Sequence, residues 1–367
     1  MLWVYVQFIT NIDQILWSLI LRLSLIEVER PMMNCFRPIS RRFPGHGHFR
    51  SSTYRPLVSL SDAASPALSL AFSSTSQQLQ SPVSLAFERF QPASTTGGSL
   101  HQPLIVLHGL FGSKQNWRGI AKKLSQATSR EVYTLDLRNH GQSPSTPGAT
   151  SYLDYASDIQ YFIQSNQLKN VVLMGHSMGG KVAMAFALQN PQSSMISKLI
   201  VIDISPAKGP ISDNFKTYLE AMKEINSSPV TTRKQADEIL SKYEQDIGVR
   251  QFLLTNLVRL PLDSIGETYQ IRLPLEVLDE QISTDGIGDF PFDPPIASAS
   301  NSSQGPRYKK SSLFIKGAHS KYINRHNMPV IEAFFTNHQL VTLDTGHWVH
   351  AEKPKEFIET ITQFMKS

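Results

Sequence analysis

The sequence predicts an α/β fold, a mostly parallel sheet with helices on both faces and a helical lid inserted between two of its strands. Three observations predict it. Short apolar runs alternate with helix-like segments over residues 83–206 and again over 307–367, the pattern of buried strands joined by crossover helices. The stretch Val171-Val-Leu-Met-Gly-His-Ser-Met-Gly-Gly-Lys181 reads as strand, sharp turn and helix. Residues 207–306 then break the rhythm with consecutive helical segments and no clear strand between them.

In chain order, Val83 to Phe90 reads as a first strand, and Pro103-Leu-Ile-Val-Leu-His108 as a buried one, too short for a helix and bounded by Pro and Gly. A helix follows near Asn116 to Gln126, then a strand at Val132-Tyr-Thr-Leu-Asp136 and helical periodicity from Tyr152 to Ser165. The strand–turn–helix at 171–181 leads on to Lys198-Leu-Ile-Val-Ile-Asp203. In the lid, Ser212 to Asn226, Thr231 to Gln245 and Ile247 to Val258 look helical. Residues 284–306 are rich in Asp, Pro, Ser and Ala and read as a disordered surface loop. The sheet resumes with Ser312-Leu-Phe-Ile-Lys316 and Gln339-Leu-Val-Thr-Leu343. There is no internal repeat.

Composition narrows the function. The 367 residues carry a formal charge of +5, but residues 1–61 hold seven arginines against three acids. The body is therefore nearly neutral and offers no electrostatic footprint for nucleic acid. The single cysteine, Cys35, also lies in this leader, so the body has neither a disulfide nor a thiol nucleophile. Met33 to Ser61 is Arg-rich, Ser-rich and free of acids, the composition of a mitochondrial transit peptide. Residues 1–26 are apolar but carry Asp13 and Arg22, which makes a poor membrane span, and Met32 or Met33 offers an alternative start. Residues 62–82 read as an unstructured linker between leader and body.

The turn at 175–179 has the G-x-S-x-G spacing that lifts a serine hydroxyl above a parallel sheet at a helix N-terminus. Ser177 is the candidate nucleophile, and it needs a base within hydrogen-bond reach. His347 follows the last strand directly and is the candidate base; His350, farther on, reads as a packing or capping histidine. The acid is harder to place, because Lys316-Gly-Ala-His-Ser-Lys-Tyr322, the loop where it usually lies, has no carboxylate. One strand earlier, Ile202-Asp203-Ile-Ser-Pro206 places Asp203 at a strand end beside the turn, with a turn-stabilising role as the alternative reading. Asp136 belongs to the other side of the sheet, and Asp344 is too near His347 in the chain to turn back onto its ring. The oxyanion donors are expected at the backbone N–H groups of Met178 and Leu110, with His108 holding the Leu110 loop in place.

Taken together, His108-Gly-Leu-Phe-Gly-Ser113, Asp136-Leu-Arg-Asn-His-Gly-Gln-Ser143, Gly175-His-Ser-Met-Gly-Gly-Lys181, Ile202-Asp-Ile-Ser-Pro206, Arg250-Gln-Phe-Leu-Leu-Thr-Asn256 and Thr345-Gly-His-Trp-Val-His350 resemble the mitochondrial abhydrolase domain-containing protein 11 group and its fungal relatives, the ethanol acetyltransferases. The resemblance runs from about residue 83 to the end. It implies the α/β-hydrolase fold with a mostly parallel eight-stranded sheet, a Ser-Asp-His triad in which the aspartate of Ile-Asp-Ile-Ser-Pro is the acid, and a mitochondrial address. The first 31 residues and the 284–306 insertion depart from the group; the insertion bears on pocket shape.

The expected activity is a serine esterase or thioesterase acting through an acyl-enzyme. The alternative is an alcohol O-acetyltransferase using acetyl-CoA as substrate, and a further reading is a non-catalytic binder of a mitochondrial protein partner. No metal motif or phosphate loop occurs, so no metal and no cofactor are expected.

Overall fold

A computed structural model of the chain describes residues 79–92, 102–260, 268–284, 286–295 and 305–366. The leader at 1–61 and most of the 62–82 linker lie outside the described residues.

The main sheet contains β1 (Phe87–Phe90), β2 (Leu104–Leu107), β3 (Val132–Leu135), β4 (Val171–His176), β5 (Ile196–Ile202), β8 (Ser312–Gly317) and β9 (His338–Leu343). They lie in the order β1-β3-β2-β4-β5-β8-β9. Only β1 runs antiparallel to its neighbour; every other pairing is parallel. Among the described residues the sheet has seven strands, one fewer than the family resemblance implies. The first strand is also shorter than its apolar pattern suggests, with only Phe87–Phe90 paired.

Side chains alternate across this sheet as the two-residue period requires. Leu104, Val106, Val172, Met174, Ile200 and Ile202 face a layer built from α1 (Arg118–Thr128), α9 (Val349–Glu352) and α10 (Pro354–Lys366). Ile105, Leu107, Leu173, Leu199 and Val201 face α2 (Tyr152–Ser165) and α3 (Met178–Gln189) on the other side. Ser151 starts α2 by accepting the Asp154 N–H, which satisfies one donor that a helix start leaves open.

Between β5 and β8 lies the lid: α4 (Asn214–Ser227), α5 (Arg233–Leu240), α6 (Ile247–Leu253) and α7 (Leu275–Ser283). It also holds a two-stranded antiparallel ribbon, β6 (Leu257–Arg259) with β7 (Tyr269–Ile271), which the sequence reading missed. Strands of three residues leave too little alternation to stand out from a helical pattern.

Two expectations about irregular segments change. Over 286–295, the 284–306 stretch is packed: Phe290 is fully buried with its ring 5.8 Å from that of Phe334, the latter on α8 (Met328–Phe334). This aromatic anchor is hidden by the Pro- and Asp-rich composition around it. The end of the supposed linker is also tied down. Gln80 N–H donates to Asp158's neighbour on the helix face, Asp154 Oδ1, at 2.6 Å, and Arg138 donates to Ser81 O at 3.0 Å.

Candidate active site

β4 stops at a turn that only a strained backbone can make. Ser177 sits there at φ +53° and ψ −120°, outside the regions that L-residues normally occupy. Its N–H donates to Ile202 O on β5 at 3.0 Å, and its carbonyl accepts from Gly180 and Lys181 N–H as α3 begins. The turn closes because Gly175 and Gly179 have no side chains: a Cβ on Gly175 would lie 2.1 Å from Gly179 O.

Asp203 follows β5, also in the left-handed region at φ +49°, and its residue is wholly buried. Its Oδ1 accepts the Gly317 N–H at 3.0 Å. Its Oδ2 accepts from Ser320 Oγ and from His347 Nδ1 at 2.7 Å. A carboxylate held by three donors is fixed in place, and it keeps the proton of a neutral His347 on Nδ1. The Nε2 of His347 is then an acceptor. The ring packs between Tyr322, 4.2 Å between centroids, and His176, 4.7 Å. The Nε2–H of His176 in turn donates to His347 O at 3.0 Å.

The other candidates are occupied elsewhere. His350 is buried and stacked on Trp117 with centroids 4.1 Å apart; burial pulls its pKa down to about 3. Asp136 accepts the backbone N–H groups of Lys114 at 2.7 Å and Gln142 at 2.8 Å, and its carboxylate is paired with the Lys114 ammonium. Burial works hardest against its charge, but Lys114, His108 and the backbone donors together outweigh burial and hold the carboxyl below its usual range. Asp344 pairs with His319 at 2.8 Å, on the surface. His108 spends both ring nitrogens on loop geometry: Nδ1–H donates to Gly109 O at 2.8 Å and Nε2 accepts the Leu137 N–H at 3.0 Å. Burial lowers its pKa, in keeping with a neutral ring.

Two cavities meet at Ser177 and Leu110. The larger, about 630 Å³, has Trp117, Phe252 and Trp348 in its walls and also contains His347. The smaller, about 260 Å³, includes Met178, Tyr152, Ile204 and Ile287. Among the described residues, no group of three or more His, Cys, Asp or Glu is arranged to hold a metal ion.

The alpha/beta hydrolase fold family matches residues 102–241. A Danio rerio protein named sn-1-specific diacylglycerol lipase ABHD11 is 38% identical over 298 residues, covering 80% of this chain and 86% of the relative. The chain belongs to the α/β-hydrolase family. This α/β hydrolase is also 37% identical to the "Probable alcohol acetyltransferase" of Saccharomyces cerevisiae, over 79% of this chain and 85% of that one. A solved marine microorganism esterase superposes with a TM-score of 0.65 at 35% identity, covering 77% of this chain and 99% of the esterase. With these relatives, the α/β hydrolase is an enzyme of that class.

Several residues of this α/β hydrolase's site escaped the sequence reading. The 316–322 segment, which has no carboxylate, instead supplies Gly317 and Ser320 as donors to Asp203. Asn256 donates from the lid to Phe111 O at 2.7 Å and steadies the loop that carries Leu110. Lys181 was visible as the one charge at the start of an apolar helix, yet its partners, Gly288 O and Asp289 O, are over a hundred positions away, where no local pattern reaches. No helix among the described residues is long and apolar enough to cross a membrane.

Proposed function

We propose that the protein is a serine hydrolase that cleaves carboxylic esters or thioesters through an acyl-enzyme on Ser177. The observation that carries this reading is the 2.7 Å Asp203–His347 hydrogen bond beside a strained serine in the same cavity. His347 Nε2 takes the Ser177 proton as Oγ attacks the substrate carbonyl. The backbone N–H groups of Met178 and Leu110 face the developing oxyanion; Met178 opens α3, where amides lack partners within the helix. His347 then returns the proton to the departing alcohol or thiol. Water repeats the sequence on the acyl-enzyme and releases the acid.

The same acyl-enzyme is open to an alcohol. The yeast relative's name favours this second reading, in which acetyl-CoA is the acyl donor and a substrate; no cofactor is required in either case. The Arg- and Ser-rich composition of 33–61 supports a mitochondrial address.

A fluorophosphonate probe is expected to label the wild type and to leave Ser177→Ala unlabelled. Labelling that persists in the alanine variant would refute the assignment. Ethyl acetate formed from acetyl-CoA and ethanol, measured against free acetate, separates transfer from hydrolysis.

A further inference from the structure

We propose that Lys181 and Tyr152 fix the segment Ile287–Asp289 as a wall of the smaller cavity and thereby make that cavity a selector for short acyl chains. This rests on the acyl-enzyme reading above and adds the chain-length class and the residues that set it.

Every residue of α3 from Met178 to Leu188 is buried, Lys181 among them. Burying an ammonium is unfavourable unless its protons are taken up. Here the Nζ of Lys181 donates to Gly288 O at 2.7 Å and to Asp289 O at 2.8 Å. From α2, the Tyr152 hydroxyl donates to Ile287 O at 2.8 Å. Three consecutive carbonyls of the lid segment are thus held by two side chains of the core. Gly209 N–H adds a bond to Gly288 O at 3.1 Å, and buried Phe290 anchors the chain just beyond. Burial lowers the Lys181 pKa to about 8, with Asp289 opposing the shift, so the ammonium keeps its charge at neutral pH.

The fixed segment bears directly on the pocket. Ile287 and Gly288 line the smaller cavity, as do Lys181 and Tyr152 themselves. A space of about 260 Å³ holds on the order of eight groups the size of a water molecule, enough to seat a short acyl chain. His347, which must protonate the leaving group, lines the larger cavity. The leaving group therefore departs on that side, and the acyl group is left with the smaller one.

The test compares kcat/KM for p-nitrophenyl butyrate and p-nitrophenyl laurate in wild type, Lys181→Met and Tyr152→Phe, with fluorophosphonate labelling as a check on each protein. Wild type is expected to prefer butyrate by at least about tenfold, in line with the discrimination available from a few methylenes. Lys181→Met should cut that ratio by about tenfold, and Tyr152→Phe by about threefold, as the wall loosens. A residue with a merely structural role would lower both substrates together and leave the ratio unchanged. A wild-type preference for laurate, or an unchanged ratio in labelled variants, overturns the proposal while leaving the serine reading intact. Should Lys181→Met fail to fold, Tyr152→Phe, which loses one hydroxyl, decides the matter. Absence of labelling in the wild type would instead refute the serine reading on which the proposal rests.

Discussion

Oδ2 of Asp203 lies 2.7 Å from Nδ1 of His347 although 144 positions of chain separate them. Asp203 follows β5 and His347 follows β9, with β8 between them in the sheet. The carboxylate is held across that intervening strand end by β8 and the loop after it: Gly317, at the end of β8, and Ser320 donate to its oxygens. An acid one strand away from the usual loop can therefore meet the same histidine.

Replacing Asp203 by Asn should remove the acceptor that orients His347 and lower kcat by about 10³- to 10⁴-fold. Asp136→Asn should act differently, through the buried pair with Lys114, with a loss of about 3–5 kcal/mol of stability. Steady-state kinetics beside thermal melting separates the two; an Asp203→Asn enzyme within threefold of wild type would remove that residue from the chemistry.

A methyl group at Gly317 should disturb the site without touching a reacting atom. Its Cβ would lie 2.0 Å from Gly346 O, one residue before His347, so one of the two loops must shift. Misplacement of about 1 Å can lower turnover by about 10². We expect Gly317→Ala to retain its circular dichroism spectrum and lose activity on that scale; full activity would show that the loop has slack.

The buried Arg138–Asp158 pair ties the segment before β1 to the core. Arg138 Nε donates to Asp158 Oδ2 at 2.8 Å and its Nη2 to Ser81 O at 3.0 Å. Asp158→Asn leaves a buried guanidinium without its counter-charge and should lower stability by about 3–5 kcal/mol. A melting temperature equal to wild type would contradict this.

Acid should destabilise the fold partly through neutral buried histidines. Burial lowers His140 and His350 to about 3, whereas an unfolded chain takes up those protons near the ordinary histidine value of 6.5. The stabilisation is complete above that value and is lost as pH falls towards 3, at up to about 1.4 kcal/mol per pH unit for each group. His350→Phe keeps an aromatic ring against Trp117 and should flatten the decline in melting temperature between pH 7 and pH 5. An unchanged slope would mean that His350 does not report on folding.

Local pattern made much of this legible. The apolar runs of β2, β4, β5 and β8 are buried on both faces, so each reads as a strand without reference to the others. The turn around Ser177 is readable for the same reason: two glycines and a serine at fixed spacing between strand and helix have few other uses. The pairing of β6 with β7 is carried by strands too short to show a period, whereas the packing of Phe290 on Phe334 and the ties from Lys181 to Gly288 and Asp289 join residues far apart in the chain, and neighbouring residues carry no trace of them.

The sequence by itself determined the parallel α/β framework, the sharp turn that presents Ser177, and which residues stood as candidates for base and acid, because hydrophobic period and glycine spacing act over a few residues. Only the tertiary structure decided that Asp203 faces His347, that Asp136 is spent on Lys114, and that Ile287 and Gly288 line a cavity. Those outcomes depend on which strand ends and loops become neighbours, and that is set by the packing of the whole sheet.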